Sequence, residues 1–129
     1  GNPLACAAGF AVITEIEKGD MVSNAANMGD VLKTRLSALM QRYPFVGDVR
    51  GYGLFIGVDL VEDSISLIEG TKIADYVKNR MRENRILMGT EGPRDNILKI
   101  RPPLTIEADD IEMILQTLDR ILSETACQP

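Results

Sequence analysis

The sequence predicts an α+β domain in which helices cover one face of a small, largely antiparallel sheet. Three observations lead to this fold class. Long segments carry apolar residues at spacings of three and four, as helices do. Shorter segments are rich in branched residues and are broken by glycines, as strands are. The segments follow the order α-α-β-β-α-β-β-α, which lacks the strict alternation of a parallel sheet. At 129 residues, 1–129 is expected to be a single domain.

The first helix is predicted over residues 1–19. Asn2 is a good N-cap, and Pro3 suits the first helical position. From Leu4 to Ile13 the segment is apolar on almost every side, and a helix of this kind is normally buried on every side. A domain of this size cannot cover its own terminal helix on both sides. We therefore predict that this helix is an arm that needs a partner outside the sequence.

The second helix is predicted from about Asp20 to Arg42, with one buried stripe. Two strands follow in "FVGDVRGYGLFIGVDLVED", separated by a glycine-bearing turn at residues 51–53. The second of these strands is predicted over residues 54–61. An acidic loop is predicted over residues 62–70.

The C-terminal part of the chain contains two predicted helices and two predicted strands. The third helix covers about 71–84, a short strand covers 86–88, and "GTEGPRDN" forms a loop that leads into the strand of "NILKIRPPLT". The final helix is expected to begin after Thr105 as its N-cap.

Composition excludes several function classes. A net charge of −5 offers no basic field for nucleic acid or an anionic membrane, and no apolar run approaches the length of a membrane span. The sequence has no histidine, which excludes a Ser-His-Asp or Cys-His catalytic set and argues against a metal site. Cys6 and Cys127 are expected to be free thiols in a reducing, cytoplasmic compartment, Cys6 packed and Cys127 in a loose tail.

The charged and glycine-rich motifs yield few candidates for chemistry. Gly51-x-Gly53 is followed by a strand, so we interpret it as a tight turn instead of a dinucleotide-binding loop. The acidic pairs either point apart or serve a loop or a helix terminus, so no catalytic residue is predicted. Arg50 is interpreted as forming a surface salt bridge or capping the backbone, in preference to a ligand contact.

Lys99 and Arg101 are the best candidates for binding a ligand. Side chains two apart on a strand lie on the same face, so both cations should point together. Such a pair can hold a carboxylate or a phosphate through charge-assisted hydrogen bonds. The alternative is a solvated strand face paired with nearby acids, and spacing alone does not decide between the two.

Four stretches together resemble the C-terminal domain of class III, fold-type I aminotransferases. They are "GNPLACAAGFAVI", "YPFVGDVRGYGLFIGVDLV", "NRILMGTEG" and "NILKIRPPLTIEADDIE". The resemblance implies pyridoxal phosphate in the intact enzyme and a homodimer with active sites at the subunit interface. It also implies that the lysine forming the Schiff base lies upstream. This chain is therefore expected to be an inactive fragment that binds no cofactor, with arm 1–19 packing on the missing large domain.

The family commonly has an arginine three residues before the Pro-Pro pair, where it binds the substrate carboxylate. This chain has Lys99 there, and Arg101 lies immediately before Pro102. Lysine lacks the planar fork of arginine, so the bidentate recognition of a carboxylate is not expected at this position. The pattern resembles the branch of ethanolamine-phosphate and phosphohydroxylysine phospho-lyases. This implies a small amine substrate, which undergoes amino transfer or, as an amino-alcohol phosphate, loses phosphate. The alternative is a free-standing anion-binding or regulatory module.

Overall fold

A computed structural model describes residues 1–124 and 127 and contains four helices and four strands in these residues. The helices are α1 (Pro3–Lys18), α2 (Met21–Leu39), α3 (Thr71–Glu83) and α4 (Ala108–Leu122), and the strands are β1 (Val46–Tyr52), β2 (Phe55–Leu60), β3 (Gly89–Glu91) and β4 (Ile97–Ile100). The predicted order α-α-β-β-α-β-β-α is confirmed.

The strands form one antiparallel sheet in the order β1-β2-β4-β3. β1 and β2 are joined by a two-residue turn, with Tyr52 paired to Phe55 across it. β4 lies in the centre beside β2, and the short strand β3 forms an edge. The sequence prediction of a small antiparallel sheet is therefore confirmed.

Helices cover one face of this sheet. In β2 the buried residues Ile56, Val58 and Leu60 alternate with exposed or half-buried ones, and β4 buries Leu98 and Ile100 in the same way. α2 packs on β1 and β2, α3 packs on β2, β3 and β4, and α4 packs against both of these helices. The opposite face of the sheet is left open, which places it where a ligand or another part of a protein can reach it.

Helix α1 has the predicted start but no buried residue. Asn2 accepts a hydrogen bond from the backbone N–H of Leu4 at 3.0 Å and so caps the helix. Leu4 and Phe10 expose 77% and 74% of their surface. Among the described helices and strands α1 packs mainly against α2 and buries none of its residues, so its apolar surface is almost entirely uncovered.

Two predicted boundaries are wrong. The strand predicted at 86–88 instead occupies Gly89–Glu91, because the residues that pair with β4 are the ones that follow the apolar run. Leu87, in the middle of that run, is 83% exposed. The N-cap of α4 is Glu107 in place of Thr105, and its backbone N–H donates to the Asp110 carboxylate at 3.3 Å.

Both cysteines are free, as predicted, but their environments are the reverse of the prediction. Cys6 is exposed because it lies on the uncovered helix α1. Cys127 is fully buried in the core. None of the helices in the part of the chain that the structure describes is long and apolar enough to span a lipid bilayer. The same residues contain no group of three or more acidic or cysteine side chains that could hold a metal ion.

Candidate functional site

The open face of the sheet carries a row of residues that crosses all four strands. The register aligns Arg50 with Gly57, Gly57 with Lys99, and Lys99 with Gly89. The two glycines leave the middle and the edge of this row without side chains. The result is a cavity of about 400 Å³ whose walls include Arg50, Lys99, Glu91 and the aromatic side chains of Tyr52 and Phe55.

Lys99 is not free in this cavity, because its ammonium group forms an ion pair with the carboxylate of Glu91. The side chains of Lys99 and Glu91 are 30% and 55% exposed, so the pair lies at the cavity wall and remains open to solvent. The hydrogen bond from Lys99, together with its charge, lowers the pKa of the Glu91 carboxyl below its ordinary value. The charge of Arg101 lowers it further. Glu91 is therefore ionised at neutral pH.

Arg50 is also engaged by acids of the same sheet face. Its guanidinium lies 2.6 Å from the Asp48 carboxylate and 3.1 Å from that of Asp59. Hydrogen bonds to these two carboxylates raise the pKa of Arg50, and it keeps its charge. The prediction that Arg50 is a salt-bridging residue is confirmed.

Arg101 differs from Lys99 and Arg50. It follows the last residue of β4, is exposed, and borders a second cavity of about 500 Å³. The other walls of this cavity are mostly apolar and include Tyr52, Phe55 and Leu104. Among the described residues the ion pairs of this sheet face involve Arg50 and Lys99, and none of them involves Arg101. Its guanidinium is the cation available to an incoming anion.

The tip of the β1–β2 hairpin lies between the two cavities. Tyr52 and Phe55 border both of them, and Tyr52 is 93% exposed. The tip is held from behind by α2, where Lys33 donates to the carbonyl of Gly51 at 3.2 Å. The hairpin thus presents two aromatic side chains at a fixed place beside the two cation-bearing cavities.

The sequence singled out the three cations of this site, Arg50, Lys99 and Arg101, and missed the acid Glu91. The charges of Lys99 and Arg101 both lower the pKa of the Glu91 carboxyl, but the two residues border different cavities. The sequence pattern puts Glu91 in a loop, and its pairing with Lys99 depends on the register of β3 against β4. A substrate-binding role for Lys99 and Arg101 stays a prediction.

The described residues do not fit a pyridoxal phosphate site. A cofactor lysine must present a free amine beside a phosphate-binding cradle. Lys99 is held by Glu91, Lys33 by the Gly51 carbonyl, and Lys78 forms an ion pair with Asp75, while Lys18 and Lys72 border neither of the two cavities. The cavities near Lys99 and Arg101 have mainly apolar walls and offer no cradle of that kind.

Comparison with protein families decides the identity of the domain. The family model for aminotransferase class III matches residues 1–122. The chain belongs to the class III aminotransferase family. This confirms the family resemblance that the sequence motifs predicted.

Among curated class III relatives, the alanine–glyoxylate aminotransferase 2-like protein of Drosophila melanogaster is 38% identical over 116 residues. That alignment covers 89% of this chain and 24% of the relative. An ethanolamine-phosphate phospho-lyase homologue of Caenorhabditis elegans is 36% identical over 124 residues, which cover 95% of this chain and 27% of the relative. The chain spans about a quarter of the length of these relatives.

Solved structures of a phospholyase and of an aminotransferase match this chain closely. A phospholyase from Arthrobacter, in complex with phosphoethanolamine, superposes with a TM-score of 0.91 and is 35% identical. The match covers 95% of this chain and 29% of that one. A Bacillus anthracis aminotransferase gives a TM-score of 0.84 at 31% identity, over 94% of this chain and 28% of that one. The fold therefore matches somewhat more than a quarter of each of these longer chains.

Proposed function

We propose that this chain is the C-terminal domain of a pyridoxal-phosphate-dependent class III enzyme that removes phosphate from a small amino-alcohol phosphate. The observation that carries the proposal is the likeness to the phospholyase solved with phosphoethanolamine, which extends over 95% of the chain. An ethanolamine-phosphate phospho-lyase homologue is also among the relatives. Amino transfer from a small primary amine is the other reaction that the family allows.

The proposed role of this domain is to bind the anionic end of the substrate. Arg101 offers a guanidinium without an acidic partner among the described residues, and a guanidinium can bind two phosphate oxygens at once. The apolar walls beside it, including Phe55 and Leu104, suit a short carbon chain. Lys99, in contrast, already has a carboxylate partner in Glu91.

The remaining parts of the active site are assigned to other parts of the enzyme. The uncovered apolar surface of α1 supports a role as an arm that packs on a large domain, and the intact enzyme is proposed to be a homodimer. Pyridoxal phosphate is proposed to bind outside this chain. A cytoplasmic location stays a prediction.

Phosphate release from the full-length enzyme tests the proposal. With 2-aminoethyl phosphate as substrate and no keto acid present, we expect stoichiometric release of inorganic phosphate. Amino transfer to a keto acid without phosphate release would refute the phospho-lyase assignment and leave the aminotransferase one. Incubation of the isolated chain with pyridoxal phosphate is expected to give no Schiff-base absorbance band. If the gene encodes no large domain in addition to this chain, and the isolated chain binds phosphate, the alternative of a free-standing anion-binding module would be favoured.

A further inference from the structure

The ion pair between Lys99 and Glu91 follows from the register of the edge strand. Gly89 lies opposite Lys99, and Glu91 lies two residues further along β3 on the same face. A side chain at Gly89 would contact the Lys99 stem, since a Cβ built there lies 3.6 Å from its Cε. With glycine at this position the stem lies over β3, and its ammonium group reaches the Glu91 carboxylate.

This arrangement changes what Lys99 can bind. Lys99 stands where the sequence resemblance implies a carboxylate-binding arginine in other family members. Here its charge is paired with an acid of the same chain. A substrate carboxylate would have to displace Glu91 and would meet its negative charge at close range. Repulsion between two carboxylates near one lysine disfavours binding by several-fold or more.

We propose that Glu91 is a specificity-determining residue that keeps Lys99 from binding a carboxylate beside the reacting amine. This inference rests on the proposed function, because it concerns the same substrate site. The ion pair does not weaken the binding of substrates that lack such a carboxylate. Their anionic end, if they have one, is bound by Arg101 across the tip formed by Tyr52 and Phe55.

Two small ligands that differ mainly in the carboxylate test this inference. L-alanine and ethylamine share an amine and a two-carbon unit, and only alanine carries the carboxylate. Their dissociation constants from the full-length holoenzyme are measured by calorimetry, so that the result does not depend on phosphate release. In Glu91→Gln we expect alanine to bind about tenfold more tightly, because one negative charge is removed and Lys99 is released. Ethylamine binding is expected to stay unchanged.

Three further variants separate this role from a structural one. Glu91→Asp keeps the charge and should bind alanine as the wild type does. The double variant Glu91→Gln, Lys99→Gln should not bind alanine more tightly than the wild type does, because no cation is released. Glu112→Gln removes a carboxylate from an ion pair with Arg35 on the helices and should change neither ligand.

Equal effects of Glu91→Gln on alanine and ethylamine, or no effect on either, would overturn the proposal. So would a gain that survives removal of Lys99. The outcome is separable from the proposed function. If the wild-type enzyme releases no phosphate but the Glu91→Gln variant binds alanine more tightly, the phospho-lyase assignment is wrong and the specificity role of Glu91 is supported. If the wild-type enzyme releases phosphate but Glu91→Gln does not bind alanine more tightly, the phospho-lyase assignment is supported and the specificity role of Glu91 is wrong.

Discussion

Gly29 of α2 lies directly against the backbone of Gly53 at the tip of the β1–β2 hairpin. A Cβ built on Gly29 would lie 2.3 Å from the carbonyl oxygen of Gly53 and 2.4 Å from its carbonyl carbon. Gly53 itself has a φ of +53°, in the left-handed region that glycine adopts without strain. The contact lets α2 support the turn that carries Tyr52 and Phe55, so the two glycines determine where the aromatic tip lies.

Gly29→Ala should therefore destabilise the domain. The added methyl group meets backbone atoms that cannot move independently of the hairpin, and overpacking of this kind costs about 1–3 kcal/mol. Gly9→Ala is a matched control, since Gly9 also lies in a helix but a methyl group added there would have nothing within 4 Å. It should be neutral or stabilising by up to about 1 kcal/mol. Chemical denaturation of both variants measures the difference, and equal free energies of unfolding would contradict the argument.

The order and type of the elements followed from local sequence pattern, whereas the position of β3 did not. Residues 86–88 have the apolar character of a strand, yet the strand is Gly89–Glu91. What selects it is hydrogen bonding to β4, with Thr90 paired to Leu98. Pairing is a non-local property, so a short strand at a sheet edge is poorly determined by its own composition.

The same limit applies to the candidate site. The spacing of Lys99 and Arg101 placed them on one face of a strand, because alternation is a local rule. Glu91 entered the site only through strand register, which no local pattern reveals. The reversal between Cys6 and Cys127 has a similar origin, since burial depends on which segments pack together and not on apolar character alone.

Glu124 should make the stability of the domain depend on pH in the acid range. Hydrogen bonds from Arg80, at 2.9 and 2.8 Å, and then from Tyr76 lower the pKa of Glu124 from 4.5 to about 2. A carboxyl with a depressed pKa stabilises the folded state above its unfolded pKa. This stabilisation is lost as pH falls from about 4.5 toward 2.

Thermal melts at about pH 6, 4.5 and 3 of the wild type and Glu124→Gln check this dependence. The variant should melt at a lower temperature at the highest pH, and the gap should narrow as the pH falls. Glu62→Gln, in an exposed loop, serves as the control and should show no such trend. A gap for Glu124→Gln that stays constant over this pH range would rule out the linkage.

The two thiols should differ sharply in reactivity. Cys127 is fully buried, and burial, followed by the charge of Glu124, raises the pKa of its thiol to about 11. Cys6 is exposed. With iodoacetamide at mildly alkaline pH we expect rapid modification of Cys6, and modification of Cys127 only after denaturation. Peptide mass spectrometry distinguishes the two sites, and labelling of Cys127 in the folded protein at the rate of Cys6 would contradict its burial.

The uncovered surface of α1 should cause the isolated chain to self-associate. Phe10 is 74% exposed beside other apolar side chains of the same helix, and a contiguous apolar surface favours association in water. Phe10→Ser should lower the average mass seen by sedimentation equilibrium. Met113→Ser, which removes a half-exposed apolar side chain from α4, should leave the mass unchanged. A monomeric wild-type chain would show that the exposed surface of α1 does not drive association.

Arg101 and Lys99 should contribute unequally to binding of an anionic substrate by the full-length enzyme. Arg101 is without an acidic partner among the described residues, so Arg101→Gln removes a charge-assisted hydrogen bond that nothing replaces. Such bonds contribute about 1.5–3 kcal/mol, which corresponds to a rise in KM for 2-aminoethyl phosphate of about 10- to 100-fold. Lys99→Gln should raise KM less than about threefold, because Lys99 is paired with Glu91 and the pair is open to solvent.

Steady-state kinetics with both variants gives the comparison, and ethylamine binding, which involves no anion, reports whether the site is otherwise intact. A larger loss for Lys99→Gln than for Arg101→Gln would show that the substrate displaces Glu91 and that Lys99 is the anion-binding residue.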